Sequence, residues 1–286
     1  MNPQKIAIVC DSGCDVPKKA QEEFGIYVLP LKINFKKKTF TDGLDIEPQE
    51  LYTMMETEIP KTSLPDGQTI VDTFEQIKRD GYESVMAITI SSGLSGTYNL
   101  VRLLAEDEED LDIRVLDTRN ISIGSGFHVI QAARYAREGY PLDEIYEKCQ
   151  ANLNRSKVFY VVATLEYLQK GGRIGLVTGV VGNVLHLKPI ISCNEEGIYY
   201  NAATVRGRKN SVQRMIQLAQ EEMAKYTKYD LAVMQTEFPK EIDDVKKQVL
   251  SSAKYVNELF TGQISATLGV HVGPKLIGIG VFSPIE

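Results

Sequence analysis

The chain has 286 residues, with 32 basic and 38 acidic side chains and a formal charge of −6. At ~150 residues per domain this is two domains or one large one. A composition of 43% apolar and 24% charged residues is that of a globular protein and excludes disordered and collagen-like classes. The acidic balance argues against a nucleic-acid binder, which needs a concentrated basic patch.

In chain order, Ile6-Ala7-Ile8-Val9 is a short continuous apolar run, as expected of a strand buried on both faces. It ends at Asp11-Ser12-Gly13. Pro17 suits the first turn of a helix and Gly25 its stop. Residues 26–35 read as a second strand. Pro48 opens a helix through Leu51, Met54 and Met55, with Pro60 beyond its end. Residues 61–67 read as a loop by composition. Ile70, Phe74 and Ile77 mark the apolar face of the next helix. Residues 84–90 form a strand that runs into Ser91-Ser92-Gly93-Leu94-Ser95-Gly96-Thr97, and a helix follows. A strand at 113–116 and helices at 126–136 and 141–152 complete the first half. This alternation predicts a mostly parallel sheet covered by helices on its faces.

The second half predicts a strand at 158–162, a short helix at 165–169, a helix at 179–187, and a hairpin of strands at 189–193 and 198–204. Two helices follow, from Ser211 and from Pro239, on either side of a strand at 231–234. The Gly-rich apolar stretch 268–282 contains a last strand. The expected fold class is α/β: two α/β domains, 1–152 and 153–286, the first with a mostly parallel sheet covered by helices.

Cys10, Cys14, Cys149 and Cys193 form no CxxC pair, so neither a metal site nor a disulfide framework is expected. The N-terminal apolar run is too short for a signal peptide. No stretch approaches the roughly 18 apolar residues of a membrane span. The chain therefore reads as soluble and cytoplasmic, with a monomer as the default state.

The most informative segment is 91–97, where a strand ends and a helix begins. Ligands of open α/β sheets bind at strand carboxyl ends, and a helix start attracts anions. Three serines, a threonine and two glycines allow close approach to such an anion. A serine cap on a glycine turn explains the same residues. The segment is neither a Walker loop nor a GxSxG elbow. Thr62-Ser63-Leu64-Pro65 supplies two more hydroxyls, in a setting that also suits a plain turn. His128 and His186 fall within predicted helices and read as structural or surface residues. His271 lies in Gly269-Val270-His271-Val272-Gly273-Pro274, either as a donor to an anion or as a buried imidazole bonded to a carbonyl. Arg173, in Gly171-Gly172-Arg173-Ile174-Gly175, and Arg206, in Arg206-Gly207-Arg208-Lys209, could bind phosphate or serve as solvated caps.

Taken together these segments resemble the DegV family of fatty-acid-binding proteins. The resemblance rests on Asp11-Ser12 with Asp15, Thr62-Ser63-Leu64-Pro65, residues 91–97, Gly171-Gly172-Arg173-Ile174, Leu187-Lys188-Pro189-Ile190, Val205-Arg206-Gly207-Arg208 and His271-Val272-Gly273-Pro274. They run in family order over nearly the whole chain. The resemblance implies two α/β domains with the lipid site between them, and one long-chain fatty acid (palmitate or oleate, for example) as ligand. It implies no metal, no other cofactor and no autonomous catalysis. It further implies a fatty acid kinase catalytic subunit as partner, which phosphorylates the bound carboxylate for phospholipid synthesis. Carried over, Thr62, Ser95 and His271 hold the carboxylate. Ser63, Ser92, Arg173 and Arg206 are head-group or partner contacts.

The chain departs from the family pattern at Asp66, where a serine is usual, and an inward carboxylate there would repel a fatty-acid head group. Asp66 is therefore expected to face solvent. Val270, Val272, Lys275 and Gly13-Cys14 are further departures. Two other readings compete. One is a serine hydrolase of acyl esters with Ser95 as nucleophile and His271 as base, which lacks an elbow motif and a third residue. The other is a kinase subunit, which lacks a nucleotide loop and a Mg²⁺ carboxylate cluster.

Overall fold

The computed structural model describes residues 2–180, 187–237 and 239–285. The first half comprises β1 (Ile6–Asp11), α1 (Lys18–Phe24), β2 (Tyr27–Leu29), β3 (Lys32–Asn34), β4 (Thr39–Thr41), α2 (Pro48–Met55), β5 (Lys61–Ser63), α3 (Gly67–Arg79), β6 (Ser84–Thr89), α4 (Thr97–Glu106), β7 (Asp112–Asp117), α5 (Ile123–Glu138) and α6 (Leu142–Ala151). The second comprises β8 (Ser156–Val161), α7 (Glu166–Lys170), β9 (Leu187–Cys193), β10 (Tyr199–Arg206), α8 (Arg208–Met223), β11 (Tyr229–Gln235), α9 (Pro239–Leu250), β12 (Val256–Gln263), α10 (Ala266–Val272) and β13 (Ile277–Phe282).

Three sheets result. The first is parallel throughout, in the order β2-β1-β6-β7. Every residue of β1 is buried, as its unbroken apolar run requires of a strand covered on both faces. The second sheet has the order β10-β9-β8-β13-β11-β12 and is antiparallel except for the β11–β12 pair. The chain's last strand thus lies inside this sheet, between β8 and β11. The third is a small antiparallel sheet, β4-β3-β5. The α/β class, with a parallel sheet in the first half, is as expected.

Helix α5 lies between the two large sheets. Thirteen of its sixteen residues are buried, which marks a helix packed on all sides. It contacts β1 and β6 on one side and β8 and β13 on the other. Phe127 stacks on Phe282 of β13, ring centroids 5.6 Å apart, and meets Phe260 of β12 edge-on. One hydrophobic cluster therefore runs from β1 through α5 to β13. The four cysteines are buried thiols. His128, also on α5, is fully buried against the Phe282 ring, in keeping with its structural reading.

Several expectations need correction. The single strand at 26–35 is two strands, β2 and β3, in different sheets. They part at Pro30-Leu31, where proline has no N–H to donate to a ladder. Residues 61–63 form β5, with Thr62 opposite Ile33, instead of a loop. Leu187 begins β9 and does not end a helix. A 3-10 turn covers Gly175–Val180, and the rest of the helix expected at 179–187, with His186, lies outside the described residues. Strand β12 and helix α10 were not anticipated, and His271 stands on that helix. The hairpin at 189–204 is present as β9 and β10.

The hairpin tip is pressed onto the end of β6. Ser91 Oγ donates to the Gly197 carbonyl at 2.8 Å. Gly197 has φ +74°, and a Cβ there would overlap Ser91 Oγ and approach Arg119 Cα to 2.9 Å. Gly43 has nearly the same φ, +73°, but open space around it. Both Gly→Ala changes incur the left-handed penalty of ~1–2 kcal/mol, and only Gly197→Ala adds the collision. Urea unfolding is expected to show Gly197→Ala as the less stable by about 1 kcal/mol or more. Equal losses would contradict this docking.

Candidate functional site

The carboxyl end of β6 meets the small sheet and α10 around a cavity of about 210 Å³ that sets a group of polar side chains among leucines and isoleucines, and is called the polar cavity for that group. Segment 91–96 supplies one wall. Ser95 is partly buried there, and its Oγ accepts from the Thr97 amide at 3.3 Å and pairs with Thr97 Oγ1 at 2.8 Å. It therefore holds the first residue of α4 while lining the cavity. Thr62 and Ser63 enter from β5, and His271 and Thr267 from α10. Arg173, three residues beyond α7, completes the polar lining. Its Nε donates to the Leu94 carbonyl at 3.2 Å and its Nη1 to the Gly171 carbonyl at 2.7 Å.

Five of the seven residues singled out from sequence (Thr62, Ser63, Ser95, Arg173 and His271) thus line one cavity. Ser92 and Arg206 do not. Ser92 is exposed and its amide donates to Asp117 at 3.1 Å. Arg206 is exposed at the end of β10. Asp66 faces solvent as expected and pairs with Lys32 at 2.9 Å. Thr267 was missed, because the helix that carries it was read as part of a Gly-rich approach to a strand. Among the described residues, no group of three or more His, Cys, Asp or Glu is placed to hold a metal ion. No described helix is long and apolar enough to cross a membrane.

His271 Nε2 lies 2.7 Å from Thr62 Oγ1, while Nδ1 is buried without a partner. The ring packs against the open face of Gly171, where a Cβ would overlap Nδ1. Burial, and secondarily the Arg173 charge, push the His271 pKa down to about 4. The ring is therefore neutral at pH 7 and carries one proton. A buried proton belongs where it has an acceptor, so Nε2–H donates to Thr62 Oγ1. The Thr62 hydroxyl proton is then free to point into the cavity. Ser95 and His271 do not pair with each other, since each hydrogen-bonds a threonine instead. The Ser–His couple that the hydrolase reading requires is not assembled.

A second, apolar cavity of about 40 Å³ adjoins the first. Ile121, Tyr199 and Leu268 line both. Its remaining walls include Ile123, Val158, Tyr160, Met234, Val272 and Leu276. In sequence these side chains cannot be told from core.

NMR of the ring of His271 tests the electrostatics. Its titration midpoint is expected near 4, as burial dictates. Arg173→Gln should raise it only part of the way to the ordinary ~6.5, because burial is the larger cause. A wild-type midpoint at the ordinary value would contradict the buried, neutral ring.

Comparison with known proteins places this geometry in context. The family model described as "Uncharacterised protein, DegV family" matches residues 5–284. A DegV domain-containing protein of Clostridium acetobutylicum is 39% identical over 98% of this chain and 99% of its own length. Among solved structures, a DegV family protein from Thermus thermophilus, described as fatty acid binding, aligns with a TM-score of 0.91 at 26% identity. That alignment covers 99% of this chain and 100% of the other. A stearic-acid-binding protein from Eubacterium ventriosum aligns with a TM-score of 0.88 at 28% identity, over 97% of this chain and 98% of its own. With a family model spanning nearly its full length and a relative this similar from end to end, the chain belongs to the DegV family.

Proposed function

We propose that this protein binds one long-chain fatty acid, such as palmitate or oleate, and presents its carboxylate to a fatty acid kinase catalytic subunit. One observation carries the binding reading. A cavity that gathers the polar groups of Thr62, Ser95, Arg173 and His271 lies against an apolar one, with Ile121, Tyr199 and Leu268 common to both, an arrangement that suits a molecule with a polar head and an apolar tail. The fatty-acid-binding relatives of matching fold support it. In this reading the lobes 1–152 and 153–286 close on the ligand from either side.

The tail supplies the affinity. Each buried methylene contributes about 0.8 kcal/mol, so fourteen contribute on the order of 10 kcal/mol before the costs of association. The head group must be satisfied and fixed. Thr62 and Ser95 donate hydroxyl protons to the carboxylate, and Arg173 supplies a positive charge beside it. The neutral His271 orients Thr62. The protein performs no chemistry itself. The partner transfers the γ-phosphoryl group of ATP to a carboxylate oxygen: the bond to the β-phosphate oxygen breaks, a P–O bond to the acyl group forms, and ADP leaves. Such a carrier works in the cytoplasm, without metal or other cofactor.

Fatty-acid titrations and kinase assays on variants test this. Thr62→Ala and Ser95→Ala should each weaken binding by roughly 1–3 kcal/mol, the cost of stranding a buried charged group. His271→Ala should slow acyl-phosphate formation more than it weakens binding. Unchanged affinity and unchanged transfer in the two hydroxyl variants would remove Thr62 and Ser95 from the site. Failure of the loaded protein to stimulate ADP release by a fatty acid kinase catalytic subunit would remove the partner role alone.

A further inference from the structure

Helix α10 is short and has no cap of its own. It spans seven residues, and Ser265 at its N-cap position makes no side-chain capping bond. Its first amides are held by two carboxylates from the far end of the chain. The Ser265 amide donates to Asp15 Oδ1 at 2.8 Å, across 250 residues, and the Ala266 amide donates to Asp42 Oδ1 at 3.1 Å, across 224. Each carboxylate uses its other oxygen on a serine of the N-terminal half. Asp15 accepts from Ser122 Oγ, at the start of α5, and Asp42 accepts from Ser12 Oγ at 2.7 Å. Ser12 Oγ in turn accepts from the Leu31 amide at 3.1 Å. Ser122 lines the apolar cavity and Leu31 the polar one. Asp42 is only 4% exposed.

We propose that Asp15 and Asp42 are positioning residues of the fatty-acid site: by capping α10 they set where His271 and Thr267 stand relative to Thr62. This rests on the fatty-acid reading above. At 1.5 Å per residue α10 is about 10 Å long, short enough to move as one rod. Its N-terminal end is fixed by the two aspartates and its last turn carries His271, hydrogen-bonded to Thr62. Releasing the first end leaves the helix held by its apolar packing against α2, α7 and β3 and by the 2.7 Å contact at the other end, neither of which fixes its first turn. An N-terminal cap stabilises the first turn of a helix, and here two caps also join the N-terminal half to the helix that bears the site.

Asp42→Ala and Asp42→Asn separate positioning from charge. Asparagine keeps an acceptor oxygen for the Ala266 amide, and its amide can donate to Ser12 Oγ. In the lipid-free protein, ring ¹⁵N resonances of His271 report its bond to Thr62. Asp42→Asn is expected to resemble wild type. Asp42→Ala should shift the Nε2 resonance and weaken palmitate binding on the order of tenfold, the equivalent of about one buried hydrogen bond. Asp15→Ala should act in the same direction through Ser265. If Asp42→Ala does not fold, Asp42→Glu, which moves the acceptor by one methylene, should show the same shift. Wild-type resonances and affinity in Asp42→Ala, or in its Glu substitute, would overturn the proposal, as would an equal loss in Asp42→Asn. Because the resonance is read without lipid, a shifted resonance in a protein that binds no palmitate would uphold the positioning role and reject the ligand instead.

Discussion

The arrangement of the site depends on one hydrogen bond, between Thr62 Oγ1 and His271 Nε2, which joins residues 209 positions apart. It links the edge strand of the small sheet to a helix of the C-terminal half, and both residues line the polar cavity. The imidazole that makes it is neutral. Burial and the nearby Arg173 hold His271 uncharged at neutral pH. With the imidazole proton committed to Thr62, the threonine hydroxyl becomes a donor aimed at whatever anion enters. A charged histidine would bind an anion more strongly but would have to be buried against an arginine, which the low-dielectric surroundings penalise. Hydroxyl donors are the alternative, and in the proposed function Thr62 and Ser95 supply them.

In the proposed function the two cavities divide the work of recognition. The polar one is anchored, with Arg173 tied to two carbonyls and Ser95 held to the first turn of α4. The apolar one has room for little more than a water-sized group. Accepting a long tail requires its walls to yield. Met234, Leu268 and Leu276 are the lining residues with rotamers to spare, and methionine adapts most readily to an irregular shape. A rigid head site beside a compliant tail site would fix the carboxylate in one place while accommodating chains of more than one length.

Much of the fold was legible because its strands are continuous apolar runs punctuated by glycine and proline. The run at 6–9, the alternation through 84–116 and the hairpin at 189–204 are examples. Two elements escaped for identifiable reasons. Strand β12 lies at a sheet edge and is mostly exposed or half-buried, so it carries no apolar signature. Helix α10 is only seven residues long and contains a glycine, and its cap comes from Asp15 and Asp42, which no local pattern reveals. The break between β2 and β3 was marked by Pro30, but local sequence does not say that the two pieces join different sheets.

The site was legible in part. Hydroxyls at a strand-to-helix junction pointed to segment 91–97 on physical grounds. The pairing of Thr62 with His271 could come only from resemblance, because it is a tertiary contact. The walls of the apolar cavity could not be read at all, since Val158 or Leu276 in a tunnel has the same sequence character as in a core. Asp11 and Asp15, whose carboxyls burial pushes up to about 7, ended a buried strand and its following turn in plain view, but nothing local named what they would hold.

The central claim is that this chain carries a fatty acid. Intact-mass measurement of the purified protein, first under native and then under denaturing conditions, addresses it most directly. The account predicts a native mass exceeding the polypeptide by one long-chain fatty acid, lost on denaturation, and the difference identifies the acyl chain. A native mass equal to that of the polypeptide, unchanged after incubation with palmitate and with oleate, would contradict it.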